Sequence, residues 1–388
     1  MIDDFKGSIK GICDNIPYIT ALGIILGTGA HSTVFGALII SFIFLLFKFD
    51  KPLIFSISAV LTASLTSSII LLKGSLEKLW AILFLAGLIT VIISLLKTPK
   101  KFILSIPKSV SQGFITGALT SILILTVPLI LGQKGYISLP LLIASKHNFF
   151  NYINEGAVIC SIATFVIYHY LSKSNLKFLP KSLISVIIPI FINIFYKTDL
   201  ILSADRIEYF KPAGQSADFG NLIYVLLFAI LISIVIFIQT SANLRGLKIK
   251  NQKEINKVLL IEGISNTISA LTGTVSGVVS YNAAKDTIKL NPLISGLICF
   301  IILLIFSIFF KQTIGLIPVC SISSILFIKL YEVIKFNLHS QKIKNKNAKI
   351  IFIICFVLTF LHTVTGLIAS IILTFLINTK NKNLNKLQ

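Results

Sequence analysis

The sequence predicts an all-α polytopic membrane protein of fourteen spans, built as two inverted repeats of seven. Long apolar runs recur from end to end of its 388 residues, of which 55% are hydrophobic and only 13% charged. The Lys and Arg residues gather in short clusters between those runs, mostly on one face of an even-span topology. Polar, helix-breaking features of the first half also return seven spans later, and an odd offset inverts the second copy in the membrane.

Apolar runs and breakers place the spans near 15–29, 31–47, 53–71, 79–96, 110–131, 155–172, 181–196, 220–243, 256–271, 278–289, 293–310, 315–336, 348–362 and 364–378. Runs 31–47, 155–172 and 181–196 barely cross a hydrocarbon core of about 30 Å, and 278–289 cannot cross it as helix alone. The junctions at 29–31 and 362–364 are so tight that the spans beside them must form helical hairpins. A cytoplasmic N-terminus puts about 27 of the 35 Lys and Arg residues in interior loops. The interior clusters include Lys97, Lys100 and Lys101; Lys173, Lys177 and Lys181; Arg245 to Lys257; and Lys342, Lys344, Lys346 and Lys349. Both termini are therefore expected in the cytoplasm, with the chain in a bacterial inner membrane. Residues 1–378 form one membrane domain, 1–196 and 219–378 its repeats, and 379–388 a short polar tail.

Several function classes drop out. The formal charge of +21 does not form a basic face with aromatic interleaving, so nucleic acid is excluded as a partner. Cys13, Cys160, Cys299, Cys320 and Cys355 are scattered singly, which indicates neither a disulfide framework nor a metal site. The polar opening Met1 to Lys10 is followed by no cleavage-site pattern, so the first span is retained. No HExxH, GxSxG or phosphate loop is present, and no cofactor or enzyme chemistry is expected. His169 and His362 read as structural, and Asp199, Asp205, Glu208 and Asp218 read as a solvated loop.

The most informative stretch is Gly273-Thr274-Val275-Ser276-Gly277-Val278-Val279-Ser280-Tyr281-Asn282-Ala283-Ala284-Lys285-Asp286. Glycines, hydroxyls and β-branched residues interrupt an apolar run at membrane depth, where unpaired backbone survives only if protein buries it or it lines a cavity. The pattern predicts an extended segment from Thr274 to Val279 that opens into a short helix near Ser280 or Tyr281. Free N–H groups and the positive dipole end would then face the midplane and favour an anion. A Gly/Ser-rich helix packed closely against its neighbours is the alternative. Ser276, Ser280, Tyr281 and Asn282 are the candidate donors here, against capping and packing roles. Seven spans earlier, Pro52 opens a hydroxyl-rich run with Ser56, Ser58, Thr62, Ser64, Thr66, Ser67 and Ser68. Ser56 and Ser58 are its facing candidates. Ile106-Pro107 before span five is echoed by Ile317-Pro318 in span twelve.

Three further stretches carry a shared pattern with this one. They are Ile16-Pro17-Tyr18-Ile19-Thr20-Ala21-Leu22-Gly23 with Gly27 following, Ile106-Pro107-Lys108-Ser109-Val110-Ser111-Gln112-Gly113-Phe114-Ile115-Thr116-Gly117, and Ile264-Ser265-Asn266-Thr267-Ile268-Ser269-Ala270-Leu271. Over roughly residues 10–336 they resemble the membrane domain of the SulP-type inorganic anion transporters. The second is close to that family's Ile-Pro-Lys-x-Val-x-x-Gly-Phe-x-x-Gly. The resemblance implies that spans one to four and eight to eleven form a core moving against a gate made of the rest. It also implies an anion held between half-helices three and ten, and a homodimer. Where the family carries a Glu in span eight, this chain has Gln239, a side chain suited to orienting a substrate. The family's Arg at half-helix ten is Ala283, its Ser-Gly-Pro-Thr is Ser56-Ile57-Ser58-Ala59, and the STAS domain that usually follows is not seen. Without that Arg, helix dipoles worth about 0.3–2 kcal/mol each hold the anion, and a weakly hydrated monovalent anion suits the site as well as sulfate.

Glu262 sits mid-span, at an insertion cost of about 2.5 kcal/mol or more. It either serves a coupled proton or sodium ion, or lies near a cytoplasmic helix end and snorkels or pairs with Lys257. The expected function is secondary transport or exchange of sulfate, bicarbonate, chloride or a dicarboxylate by an elevator-like movement. The alternatives are a nucleobase–cation symporter of the same architecture and a non-transporting paralogue.

Overall fold

The computed structural model describes residues 2–47, 49, 51–71, 76–96, 106–133, 153–174, 179–200, 219–249, 251–280, 290–310, 312–339 and 346–386. Apolar runs become helices because hydrocarbon offers the backbone no partners other than its own. The elements are α1 (Ile2–Leu26), α2 (Ala30–Leu46), β1 (Phe55–Ser56), α3 (Ala59–Leu71), α4 (Leu76–Leu95), α5 (Lys108–Ile130), α6 (Glu155–Lys173) and α7 (Lys181–Tyr196). The second half follows with α8 (Phe219–Gly246), α9 (Gln252–Leu271), β2 (Val278–Val279), α10 (Pro292–Ile308), α11 (Val319–His339), α12 (Lys346–Leu361) and α13 (Thr363–Lys386). Five of these helices are long and apolar enough to cross a membrane by length and composition. Every expected span has its helix except the tenth, of which only 278–280 falls within the described residues.

Local chemistry sets the helix starts. Asn154, Asn251 and Asn291 cap α6, α9 and α10 by accepting backbone N–H groups of Ala157, Lys253 and Leu293, each at 3.1 Å. The two Ile-Pro pairs behave alike. The Pro107 carbonyl accepts from Val110 and Ser111 to start α5, and the Pro318 carbonyl accepts from Ser321 and Ile322 to start α11. Proline donates nothing, so it fits where helix N–H groups lack partners anyway.

The described residues refine the expected layout in four places. α1 takes in the polar opening and begins at Ile2, where Asp4 Oδ1 accepts the Asn291 N–H at 2.8 Å and Ser8 Oγ donates to Ser295 Oγ at 2.8 Å. These contacts dock it on α10. The tail 379–388 continues α13 as helix through Lys386, because no breaker follows Asn378. Span twelve starts at Val319 rather than 315, since Ile314–Leu316 forms a 3₁₀ turn ahead of Pro318. The first residues of loop 197–218 are also tied down, with Val319 N donating to the Asp199 carbonyl at 3.0 Å and Leu200 bridging Pro318; 201–218 lie outside the described residues. Both tight junctions hold. Gly27 turns at φ +82° between α1 and α2, and His362 alone separates α12 from α13, its carbonyl accepting from Thr365 and Gly366. His169 is exposed.

The helices pack as two sets. In one, α4 lies against α8 and α9, and α10 against α1 and α2. Gly87 of α4 and Gly263 of α9 meet there, and a Cβ on either would stand 2.8–2.9 Å from the other's carbonyl oxygen, the close approach that small residues permit in membranes. In the other set α5 lies against α11 and α12, α6 against α7 and α11, and α12 against α13. Trp80, Phe55 and Phe114 are the largest fully buried side chains.

Candidate functional site

The extended stretch of each half crosses the same place, and the two pair with each other. β1 and β2 run antiparallel, Phe55 opposite Val279 and Ser56 opposite Val278, with Ser280 N donating to the Ile54 carbonyl at 2.8 Å. Each strand supplies the hydrogen bonds that lipid cannot. Gly277 makes the crossing possible. Its φ is +100°, and a Cβ there would lie 2.2 Å from the Ser56 carbonyl oxygen, so no other residue fits. Gly36 of α2 lets the preceding loop pass, since a Cβ would meet the Val275 carbonyl at 2.1 Å.

The half-helix expected in span three is α3, which begins at Ala59 after β1. Its first N–H groups are not bare. Ala59 N donates to Tyr18 Oη at 3.3 Å, Leu61 N to Ser58 Oγ at 3.1 Å, and Thr62 N to the Ser58 carbonyl at 2.9 Å. Ser58 Oγ in turn donates to Gln239 Oε1 of α8 at 2.6 Å. The helix start is therefore presented through a relay. Tyr18 Oη accepts and keeps its own O–H to donate, and Gln239 keeps two amide N–H donors. At α3, hydroxyl and amide groups stand in front of the backbone donors.

Among the sequence candidates, Ser58 and Gln239 come together. Ser56 is buried within β1. Ser276 is buried and donates to Asn266 Oδ1 at 3.1 Å, so its hydroxyl holds the loop. Ser280 is half-buried at the end of β2. Tyr281 and Asn282, with the expected half-helix ten, lie outside the described residues. Tyr18 was missed as a site residue. Its signal was a polar ring beside Pro17, one turn from the small residues of span one.

Glu262 neither snorkels nor leaves its carboxylate to Lys257. It is 0% exposed, its Oε2 accepts from Thr240 Oγ1 at 2.6 Å and its Oε1 from the Val279 N–H at 2.8 Å. Asn266 Nδ2 donates to the Gly277 carbonyl at 2.9 Å, and Asn243 Nδ2 to the Val279 carbonyl at 2.7 Å. One carboxylate and two amides thus fasten the β2 backbone between α8 and α9. Lys257 reaches over the Phe49 ring, 4.8 Å from its centroid.

Known proteins share this fold. The bicarbonate transporter BicA of Picosynechococcus sp. is 23% identical over 297 residues, 71% of this chain and 51% of that protein, so the chain spans about half of its length. The transmembrane domain of a cyanobacterial BicA superposes with a TM-score of 0.79, at 23% identity over 95% of this chain and 97% of that one. SLC26A9 superposes with a TM-score of 0.80, at 14% identity over 98% of this chain and 65% of that one. The murine SLC26A9 anion transporter in its inward-facing state gives 0.79, at 14% identity over 98% and 69%. The family model of the sulfate permeases matches residues 1–358, and the chain belongs to the sulfate permease family of membrane anion transporters.

Proposed function

We propose that the protein is a secondary active transporter or exchanger of a small inorganic or carboxylate anion, binding it between α3 and the segment after Ser280. The pairing of β1 with β2 carries this reading. It brings the two interrupted spans to one place, where Ser58, Gln239 and Tyr18 supply donors rather than charge. Ser56, Ser276, Ser280, Tyr281 and Asn282 complete the proposed site, with Ser56 and Ser276 in supporting positions.

Fourteen spans in two inverted repeats underlie the mechanism. The helix contacts support this, because exchanging α1 with α8, α2 with α9, α4 with α10, α5 with α11, α6 with α12 and α7 with α13 returns contacts that are also present. The α4–α9 contact maps onto α10–α2, α4–α8 onto α10–α1, α5–α12 onto α11–α6, and α6–α7 onto α12–α13. The set that carries both strands would move as an elevator against the other set, in a homodimer in the plasma membrane with both termini cytoplasmic. Glu262 is the proposed coupling group, since a carboxylate buried beside the crossing strand can take up a proton or a sodium ion there.

Purified protein in proteoliposomes, given bicarbonate, chloride, sulfate and a dicarboxylate with and without proton and sodium gradients, tests the reading. Bicarbonate heads the panel because the BicA relative is named for it. Saturable uptake of one anion is expected. Uptake of uracil or xanthine without competition from anions would replace this reading with nucleobase symport, and no flux at all would leave a non-transporting paralogue.

A further inference from the structure

The side-chain hydrogen bonds described so far each stay within one helix set. At Asp14 of α1 they cross between sets. Asp14 Oδ1 accepts the backbone N–H of Ser182 at 2.7 Å, in the first turn of α7, and Lys329 Nζ of α11 donates to the Asp14 carbonyl.

The sequence explains why α7 takes its cap from another helix. Its N-cap position is Pro180, which makes no side-chain cap bond, so the donors of its first turn need an acceptor from elsewhere. A carboxylate there satisfies one donor and meets the positive end of the helix dipole. Apolar side chains surround these bonds: Ile12, Ile16 and Leu22 of α1 share a buried cluster with Ile322, Ile325 and Leu326 of α11. Such surfaces slide over each other without directional loss, whereas hydrogen bonds must break. The seam on the other side differs, since α8 stands against α5 and α13 across a shallow apolar cleft lined by Val110, Phe114, Ile234, Ile238 and Ile371.

We propose that Asp14 is a latch that holds the moving set, through α1, against α7 and α11, and that its release is a step of the conformational cycle. This rests on the two-body transport reading.

The test is a distance distribution by pulsed electron paramagnetic resonance in proteoliposomes. Spin labels go on Leu95 of α4 and Tyr170 of α6, which are 72% and 74% exposed, while the native cysteines of the described residues are buried. One distance is expected to dominate in the unsubstituted protein. Asp14→Ala should raise the share of a second distance about tenfold relative to the first, roughly what one charge-assisted hydrogen bond is worth. Lys329→Met should shift it the same way, and Asp14→Asn, which keeps an acceptor oxygen, should fall between. Identical distributions in all variants would overturn the latch. If Asp14→Ala fails to fold, Asp14→Asn and Lys329→Met decide alone. Anion uptake measured on the same samples separates the two ideas: unchanged distances with normal uptake remove only the latch, and absent uptake in the unsubstituted protein removes the transport reading.

Discussion

The two crossing stretches lie side by side as paired strands and are held in different ways. Around β1 and the start of α3 the partners are hydroxyls and one amide, Tyr18, Ser58 and Gln239, each with donor capacity left over. Around β2 they are Glu262, Asn266 and Asn243, and their bonds go to the strand's own backbone. On the proposed reading, the first side is the one that meets the anion. The second is equipped to hold still. Two paired stretches need not divide the work equally, because one rigid strand is enough to register both.

That contrast can be broken most severely at Gly277. Gly277→Ala forces a side chain into a left-handed conformation that costs about 1–2 kcal/mol, and drives its Cβ to 2.2 Å from the Ser56 carbonyl. Thermal unfolding in detergent should show a large loss of stability, with transport abolished; near-normal melting would mean the strands do not depend on each other. Glu262→Ala comes next. It leaves the buried Val279 N–H without its acceptor, at about 1–3 kcal/mol, whereas Glu262→Gln can still accept from Val279 and should fold normally. If Glu262 couples transport, the Gln variant should lose dependence on the proton or sodium gradient, and transport with unchanged pH and sodium dependence would remove it as the coupling group.

On the other strand's side the effects should fall on affinity. Ser58→Ala removes both a helix cap and the contact with Gln239; an apparent KM raised about tenfold with a modest drop in melting temperature is expected, given about 1 kcal/mol for the cap alone. Tyr18→Phe is the mildest change. It keeps the ring and deprives Ala59 N of its acceptor, and a few-fold rise in KM, on the order of one hydrogen bond, should appear in concentration-dependent uptake. A KM unmoved by either change would place the anion elsewhere.

Much of this was legible beforehand because it follows from solvent. The interruption at Thr274 to Val279 stood out since hydrocarbon tolerates glycines, hydroxyls and extended backbone only where something else satisfies them. The hydroxyl-rich run at Ser56 and Ser58 stood out for the same reason. Tyr18 did not, because a tyrosine in an apolar helix looks like packing until its oxygen is seen to accept the Ala59 N–H. Glu262 was visible as costly but not as fastened, since Thr240 and Val279 are 22 and 17 residues away from it. Asp14 carried no signal in the sequence, since its partner Ser182 is 168 residues away.

The sequence by itself determined the membrane class, the helices, both tight hairpins and the two places where a helix must stop, because these depend on local composition and on what lipid cannot hydrogen-bond. Only the tertiary structure decided which polar groups meet: that the two interrupted stretches pair as strands, that Glu262 grips one of them, and that Asp14 caps a helix in the opposite set. Those outcomes depend on partners far apart in the chain, and spacing along a sequence carries no measure of distance across a fold.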